Sequence, residues 1–173
     1  ECGTGWGPTA STLAQAMAAS EAGWPADWQD KHDVQPQRKL YLLDSFEGLP
    51  DSSDTEDKSM PHVRSGYWLS GSGKALDQHQ LMGQCALYLP QERIQILAGW
   101  FKDSLEKVPK GSKFALVHID CDLYQSTIEV LDYLFQNDCF ADGCRLFFDD
   151  WNCNKASNKF GERKAWKECM EKY

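Results

Sequence analysis

No apolar run in this chain approaches the ~20 residues that a membrane-crossing helix needs, so a helical membrane protein is not expected. No two cysteines have the C-x-x-C spacing. The seven, Cys2, Cys85, Cys121, Cys139, Cys144, Cys153 and Cys169, are scattered, which leaves a zinc site without its usual ligand pattern. Their odd number and their place in apolar runs suggest reduced, mostly buried thiols in a cytoplasmic protein, with one or two disulfides as the alternative. Positive charge is scarce: 18 Lys and Arg stand against 26 Asp and Glu, for a net charge of −8. Such a surface repels phosphate backbones and argues against a nucleic-acid partner. Internal repeats and low-complexity tracts are missing as well. So is any room for a strand before the opening ECGTGWG, already a glycine-rich loop, and the last residues stop inside a helical pattern at Tyr173. A domain truncated at both ends is therefore expected.

What is present suits one globular domain over residues 1–173, with 42% apolar residues. A chain of this length buries roughly 70% of its unfolded surface and needs no staples. Pro8 fits the first turn of a helix, 11–20 is rich in helix formers, and Gly23 and Pro25 stop it. Residues 24–38 read as a loop. Short apolar runs at 39–44, 93–97, 113–120 and 144–150 read as buried strands. Helical patterns occupy 73–89, 102–108, 124–137 and 160–172, and apolar Ile128, Leu131, Leu134 and Phe135 share one face. Residues 45–72, rich in Gly, Pro, Ser and Asp, read as a long loop of the kind that forms lids or binding segments. Strands alternating with helices predict an α/β fold, a doubly wound and mostly parallel sheet. Right-handed crossovers put every strand C-terminus on one edge, where ligands bind.

The strand-like runs end on Asp44, on Asp120, and on Asp149 with Asp150, with Asp122 just beyond Asp120. Several carboxylates on one rim repel one another unless a cation joins them. Oxygen-only ligands suit Mg²⁺ or Ca²⁺ rather than zinc. The plainer alternative is that these residues cap the helices that follow. Gly3, Gly5 and Gly7 permit a tight turn before a helix N-terminus, where a ligand's negative group is favoured. Asp44 ends the next strand, where a carboxylate accepts ribose hydroxyls; a simple turn residue is the alternative. The pair indicates a nucleoside-containing cofactor and suits a dinucleotide equally.

The series ECGTGWG, LLDSFEGLP (42–50), LAGWFKDSL (97–105), HIDCDLYQST (118–127), FFDDWN (147–152) and GERKAW (161–166) resembles the macrocin O-methyltransferase-like family over nearly the whole chain. DSFEGLP and D-x-DLY-x-ST carry most of that resemblance. It implies a Rossmann-like class I methyltransferase fold, S-adenosylmethionine and Mg²⁺ as cofactors, and a small-molecule acceptor, a sugar or other natural-product hydroxyl. Glu1, Gly3 and Gly5 would line the methionine part of the cofactor, Asp44 would hold the ribose, and Phe46 would flank the adenine. Asp120 would touch both cofactor and metal, Asp149 and Asp150 would complete the metal site, and Asp122 would be the general base. The family's first-strand body and final antiparallel strand pair have no counterpart here. Cys121 stands where the family commonly has Gly, and His118 where it has Arg. A homo-oligomer is left open.

Other residues have two readings each. His118 points to the same face as Asp120, as a structural or a catalytic imidazole. Trp100 and Phe101 wall an adenine or simply pack. Trp151 and Asn152 shape an acceptor pocket. Arg163 reaches back to an acidic strand end or pairs on an exposed helix face. Asp122 is either the base or the N-terminal cap of the 124–137 helix. A nicotinamide oxidoreductase would leave the Asp149–Asp150 pair unexplained. A non-catalytic module that binds the cofactor is the third reading.

Overall fold

The computed structural model describes residues 1–22, 38–53 and 55–173. The predicted helix stop at Gly23 and Pro25, and nearly all of the predicted 24–38 loop, lie outside the described residues.

The elements follow the alternation seen in the sequence. Helix α1 (Pro8–Ala22) leads to β1 (Leu40–Asp44), the short α2 (Pro61–Arg64) and α3 (Gln78–Cys85). Then come β2 (Ile94–Ala98), α4 (Phe101–Ser104), β3 (Phe114–Ile119), α5 (Tyr124–Gln136), β4 (Phe140–Phe148) and α6 (Gly161–Lys172). Strand β1 pairs in parallel with β2, Leu42 beside Ile96, and β3 pairs in parallel with β4, His118 beside Phe147.

The two pairs are joined through the first residues of the chain. Cys2 bridges in parallel to Leu43 on one side and to Ile119 on the other. Its amide donates to His118 O and its carbonyl accepts from Asp120 N, both at 2.9 Å. Gly3 N–H reaches Leu43 O, and Leu43 N–H reaches Glu1 O, each at 2.9 Å. The lateral order is β2, β1, Glu1–Gly3, β3, β4. Glu1–Gly3 fill the central place and hydrogen-bond on both sides, where the sequence leads one to expect a first strand without its start.

Alternate residues of β1 face opposite ways, and each face has its own core. Leu40 and Leu42 pack with Ala10 and Ala14 of α1, Leu81 and Cys85 of α3, and Ile94. Leu43, Cys2, Val117 and Ile119 pack with Val130, Leu131 and Leu134 of α5 and with Ala165 and Cys169 of α6. Helices thus lie on both faces, as a doubly wound sheet requires.

Two predicted elements change. Helix α3 is shorter than the 73–89 pattern because Asp77 fixes its start. The Asp77 side chain accepts from Gln80 N–H at 2.8 Å, and Gln80 Oε1 accepts from Asp77 N–H at 3.0 Å, a reciprocal capping box. The 45–72 segment holds a 3₁₀ turn at Glu56–Ser59 as well as α2. Its Met60 and Trp68 form a small core with Leu123. This segment is a packed strap rather than an open loop. Among the described residues no helix is long and apolar enough to cross a membrane.

Candidate active site

The glycine loop is held in place by the carboxylate that ends β1. Asp44 Oδ2 accepts from Thr4 N–H at 2.7 Å, from Thr4 Oγ1 at 3.0 Å and from Gly5 N–H at 3.4 Å. Its other oxygen accepts from Phe46 N–H at 2.8 Å. Gly3 has φ +83°, and a Cβ there would fall 1.8 Å from Asp120 O, so only glycine fits against β3. Gly5 also has a positive φ, but a Cβ there would meet nothing within 4 Å. The space beside Gly5 is open.

That space is a cavity of about 360 Å³. Gly3, Gly5 and Asp44 line one end, and Gly99, Trp100 and Phe101 a second wall. Asp120 and Asp122 close the inner side, and the strap contributes Pro50 to Ser52, Thr55 and Asp57. A crevice at the C-terminal edge of the strands, beside the central one, is where a doubly wound sheet takes a ligand. Phe46 does not line this cavity; it packs against the β1–α3 core. Glu1 does not line it either. Its buried side chain lies 3.6 Å from His118 Nδ1, and His118 Nε2 lies 3.9 Å from Asp149 Oδ1. Burial pushes the Glu1 carboxyl up to about 8, with the charges of Asp120, Asp44 and Asp149 adding to the rise.

The inner side of the cavity is acidic. One carboxylate oxygen each from Asp120, Asp122 and Asp150 lie within 4.8 Å of one another. Burial raises the Asp120 carboxyl to about 7, helped by the charges of Asp149, Asp150 and Asp44. Asp122 and Asp150 are both raised, first by burial and then by neighbouring carboxylates. Asp149, expected in this group, has a side chain 60% exposed and stands at its rim, yet its charge acts on Asp120, Asp122 and Asp150 alike. Asp122 takes φ +58°, a left-handed conformation that Asp tolerates better than most residues, and its amide donates to Asp150 Oδ2 at 3.2 Å.

Asp122 is not the cap of α5. That place belongs to Asp57 of the strap, whose Oδ1 accepts from Tyr124 N–H at 2.8 Å and Oδ2 from Gln125 N–H at 3.1 Å. A second tie runs from α2 to the turn after β4. His62 N–H donates to Asn154 Oδ1 at 3.1 Å, and Asn154 N–H donates to His62 Nδ1 at 3.1 Å. That turn is strained, with positive φ at Asn154, Lys155 and Ala156 in succession. Arg163 turns back to the residues after β4, onto a backbone carbonyl and an amide oxygen rather than a strand-end carboxylate: it donates to Trp151 O and, at 3.0 Å, to Asn152 Oδ1, and its guanidinium lies 4.8 Å from the Trp151 ring centroid. Sequence reasoning missed Asp57, His62 and Glu162. No local signal marks the first two; Glu162 sat in a motif whose charges suggested an exposed face.

A family model described as Macrocin-O-methyltransferase (TylF) matches residues 29–172. The chain is 31% identical over 119 residues to 8-demethyl-8-(2,3-dimethoxy-alpha-L-rhamnosyl)-tetracenomycin-C 4'-O-methyltransferase of Streptomyces olivaceus, covering 66% of this chain and 42% of that protein. It is 32% identical over 105 residues to demethyldecarbamoylnovobiocin O-methyltransferase of Streptomyces niveus, covering 60% and 38%. The chain thus spans about two fifths of the length of these relatives. Among solved structures, the O-methyltransferase NovP superposes with a TM-score of 0.64 at 23% identity, over 99% of this chain and 62% of that one. The calicheamicin methyltransferase CalS11 superposes with a TM-score of 0.65 at 21% identity, over 96% and 61%. At these identities the superpositions establish the fold, that of class I methyltransferases.

Proposed function

The chain belongs to the macrocin O-methyltransferase family, and on that premise we propose that it is the S-adenosylmethionine-binding core of a Mg²⁺-assisted O-methyltransferase. The methyl group goes to a hydroxyl of a small molecule, a sugar or other natural product. The observation that carries this reading is the single cavity that joins the Asp44-held glycine loop to the Asp120–Asp122 wall. Gly3, Gly5 and Asp44 would hold such a cofactor, which would supply the sulfonium methyl, and Asp120 and Asp122 line the same cavity, where an acceptor oxygen would need to be deprotonated.

The donor set fits a hard divalent cation. It is all oxygen and it is clustered; after burial, the charges of Asp149, Asp150 and Asp44 raise the Asp120 carboxyl, and a cation would relieve that part. We assign Asp120, Asp149 and Asp150 to the cation, with Asp120 and Asp150 inside the observed cluster and Asp149 at its rim. When bound, Mg²⁺ supplies Lewis-acid stabilisation of the developing alkoxide. Asp122 lines the cavity and is the base that takes the hydroxyl proton. An ordinary Asp, at about 3.9, is a weak base for a hydroxyl; burial and neighbouring carboxylates raise Asp122 and improve the match. Asp44 and the glycine loop align the cofactor, and alignment of an in-line transfer is worth roughly 7–11 kcal/mol.

Family membership leaves the nicotinamide reading without support. Seven free thiols, five of them buried, suit the cytoplasm. Methyl transfer from labelled S-adenosylmethionine by the full-length protein, with and without Mg²⁺, tests the function. Tight binding of S-adenosylhomocysteine with no turnover on any hydroxylated acceptor would instead make it a binding module.

A further inference from the structure

Asp150 is held from two sides. Its Oδ2 accepts from the Asp122 amide at 3.2 Å, and its Oδ1 accepts from the Cys153 thiol, also at 3.2 Å. A carboxylate that ligates a cation is ionised and can only accept, so the thiol supplies the proton of the second bond. One donor comes from the loop after β3 and the other from the turn after β4. Together they fix the rotation of the Asp150 carboxylate, and with it the direction of each oxygen.

Cys153 is itself firmly placed. Its N–H donates to Asp150 O at 2.9 Å, which closes the turn 150–153, and its carbonyl accepts from Ala156 N–H at 2.9 Å. Its half-buried side chain packs against the small core of Met60, Trp68 and Leu123. The thiol thus has the strap on one side and Asp150 on the other. Packing against that core asks only for a small apolar group; the bond to Asp150 asks for a donor. Asp150 belongs to the observed Asp120–Asp122–Asp150 cluster and equally to the Asp120, Asp149 and Asp150 set assigned to the cation. We propose that Cys153 is a positioning residue: its thiol hydrogen bond orients the Asp150 carboxylate for a divalent cation. This rests on the reading of the cluster as a cation site, and it holds for either ligand set. Cys153 does not line the cavity, a soft sulfur ligand does not suit Mg²⁺, and the residue acts through Asp150 alone.

The test uses the full-length protein, Mg²⁺ alone as the probe, and thermal melting as the readout, for the parent, Cys153→Ser and Cys153→Val. Ser keeps a donor and gives up apolar packing, whereas Val keeps the packing and gives up the donor. The extended backbone at Cys153, φ −65° and ψ 173°, accepts both. The Ser variant is expected to need within about threefold the parental Mg²⁺ concentration for half the shift. In the Val variant that concentration is expected to rise about 10-fold, the lower end of the usual cost of losing an outer support of a metal ligand, because S–H is a weak donor. S-adenosylhomocysteine affinity should be unchanged in both. A purely packing role predicts the reverse order, with Val like the parent and Ser impaired. A parental Mg²⁺ response in the Val variant overturns the proposal, and so does a Ser response as weak as that of Val. If the Val variant does not fold, Cys153→Ala, which also lacks the donor, takes its place in the same comparison. A parent that does not respond to Mg²⁺ removes the cation reading and this assignment with it, and that outcome shows in the parent alone.

Discussion

Asp57 caps a helix that begins 67 positions later: its two carboxylate oxygens take the amides of Tyr124 and Gln125, the first two residues of α5. The strap that crosses the cavity is thereby fastened to the helix that follows Asp122. Glu56 adds a second fastening, to Lys164 of α6, which also lies 3.8 Å from the Tyr124 ring centroid.

Asp57→Ala is expected to cost about 1–2 kcal/mol of stability, the usual worth of an N-cap. The pH dependence has a defined sign. Burial raises the Asp57 carboxyl above its unfolded value of 3.8, more than its hydrogen bonds lower it. Its contribution is therefore fully present below pH 3.8 and is lost as pH rises through the folded value. The stability margin of the parent over Asp57→Asn should narrow between acid and neutral pH in paired denaturation curves. A margin that widens with pH would mean the ionised cap is the favoured form.

Asp44→Ala should weaken S-adenosylhomocysteine binding by about 1.5–3 kcal/mol, since hydrogen bonds at a half-buried site are lost. Part of that loss runs through the glycine loop, because Asp44 holds Thr4 and Gly5. Calorimetry on the full-length protein measures it, and unchanged affinity would remove Asp44 from the cofactor site.

Gly3→Ala and Gly5→Ala should differ in kind. A Cβ at Gly3 collides with Asp120 O, so the central strand position must shift, at an expected cost of about 3 kcal/mol or more. A Cβ at Gly5 meets no protein atom, so only the backbone penalty of ~1–2 kcal/mol applies to the free protein, while cofactor affinity falls. Melting curves with and without S-adenosylhomocysteine separate the two. Equal loss of ligand response in both would contradict the open space beside Gly5.

Asp122→Asn should keep the fold, because Asn also accepts a left-handed backbone. It should keep the Mg²⁺-induced rise in melting temperature and lose about 10²–10⁴-fold in single-turnover methyl transfer. Asp149→Asn combined with Asp150→Asn should abolish the Mg²⁺ effect. If Asp122→Asn abolishes it and Asp149→Asn does not, the observed Asp120–Asp122–Asp150 cluster is the ligand set and Asp122 is not the base.

What could be read from the sequence was what is local. Three of the four strands, β1, β3 and β4, are apolar runs that lead into carboxylates, and Asp44, Asp120, Asp149 and Asp150 arrive at one edge of the sheet. Three residues are too few to show a period, so the sequence alone does not reveal that Cys2 bridges both β1 and β3. The cap of α5 was sought next to the helix, at Asp122, because nothing in the sequence links it to Asp57. Glu162 lies in a charged motif, GERKAW, whose composition suggests solvent; that the helix turns this residue inward depends on Gly161 packing against Asp122. The left-handed backbone that brings Asp122 onto Asp150 is likewise set by tertiary contacts.

The central place of Cys2 has a consequence for cooperativity. In the described residues the ladders of β1–β2 and β3–β4 are joined through Glu1–Gly3, and the core that holds Leu43, Val117 and Ile119 spans both halves. Amide exchange at Cys2, Leu43 and Asp120 would report the opening of that seam. The candidate cavity lies across the seam, with Asp44 on one bank and Asp120 on the other. A ligand seated there binds only when the halves are joined, so its binding free energy is added to the joint itself. Occupancy would add a second clamp across the seam that Cys2 already bridges, and the chain would carry its cofactor partly as an internal rivet.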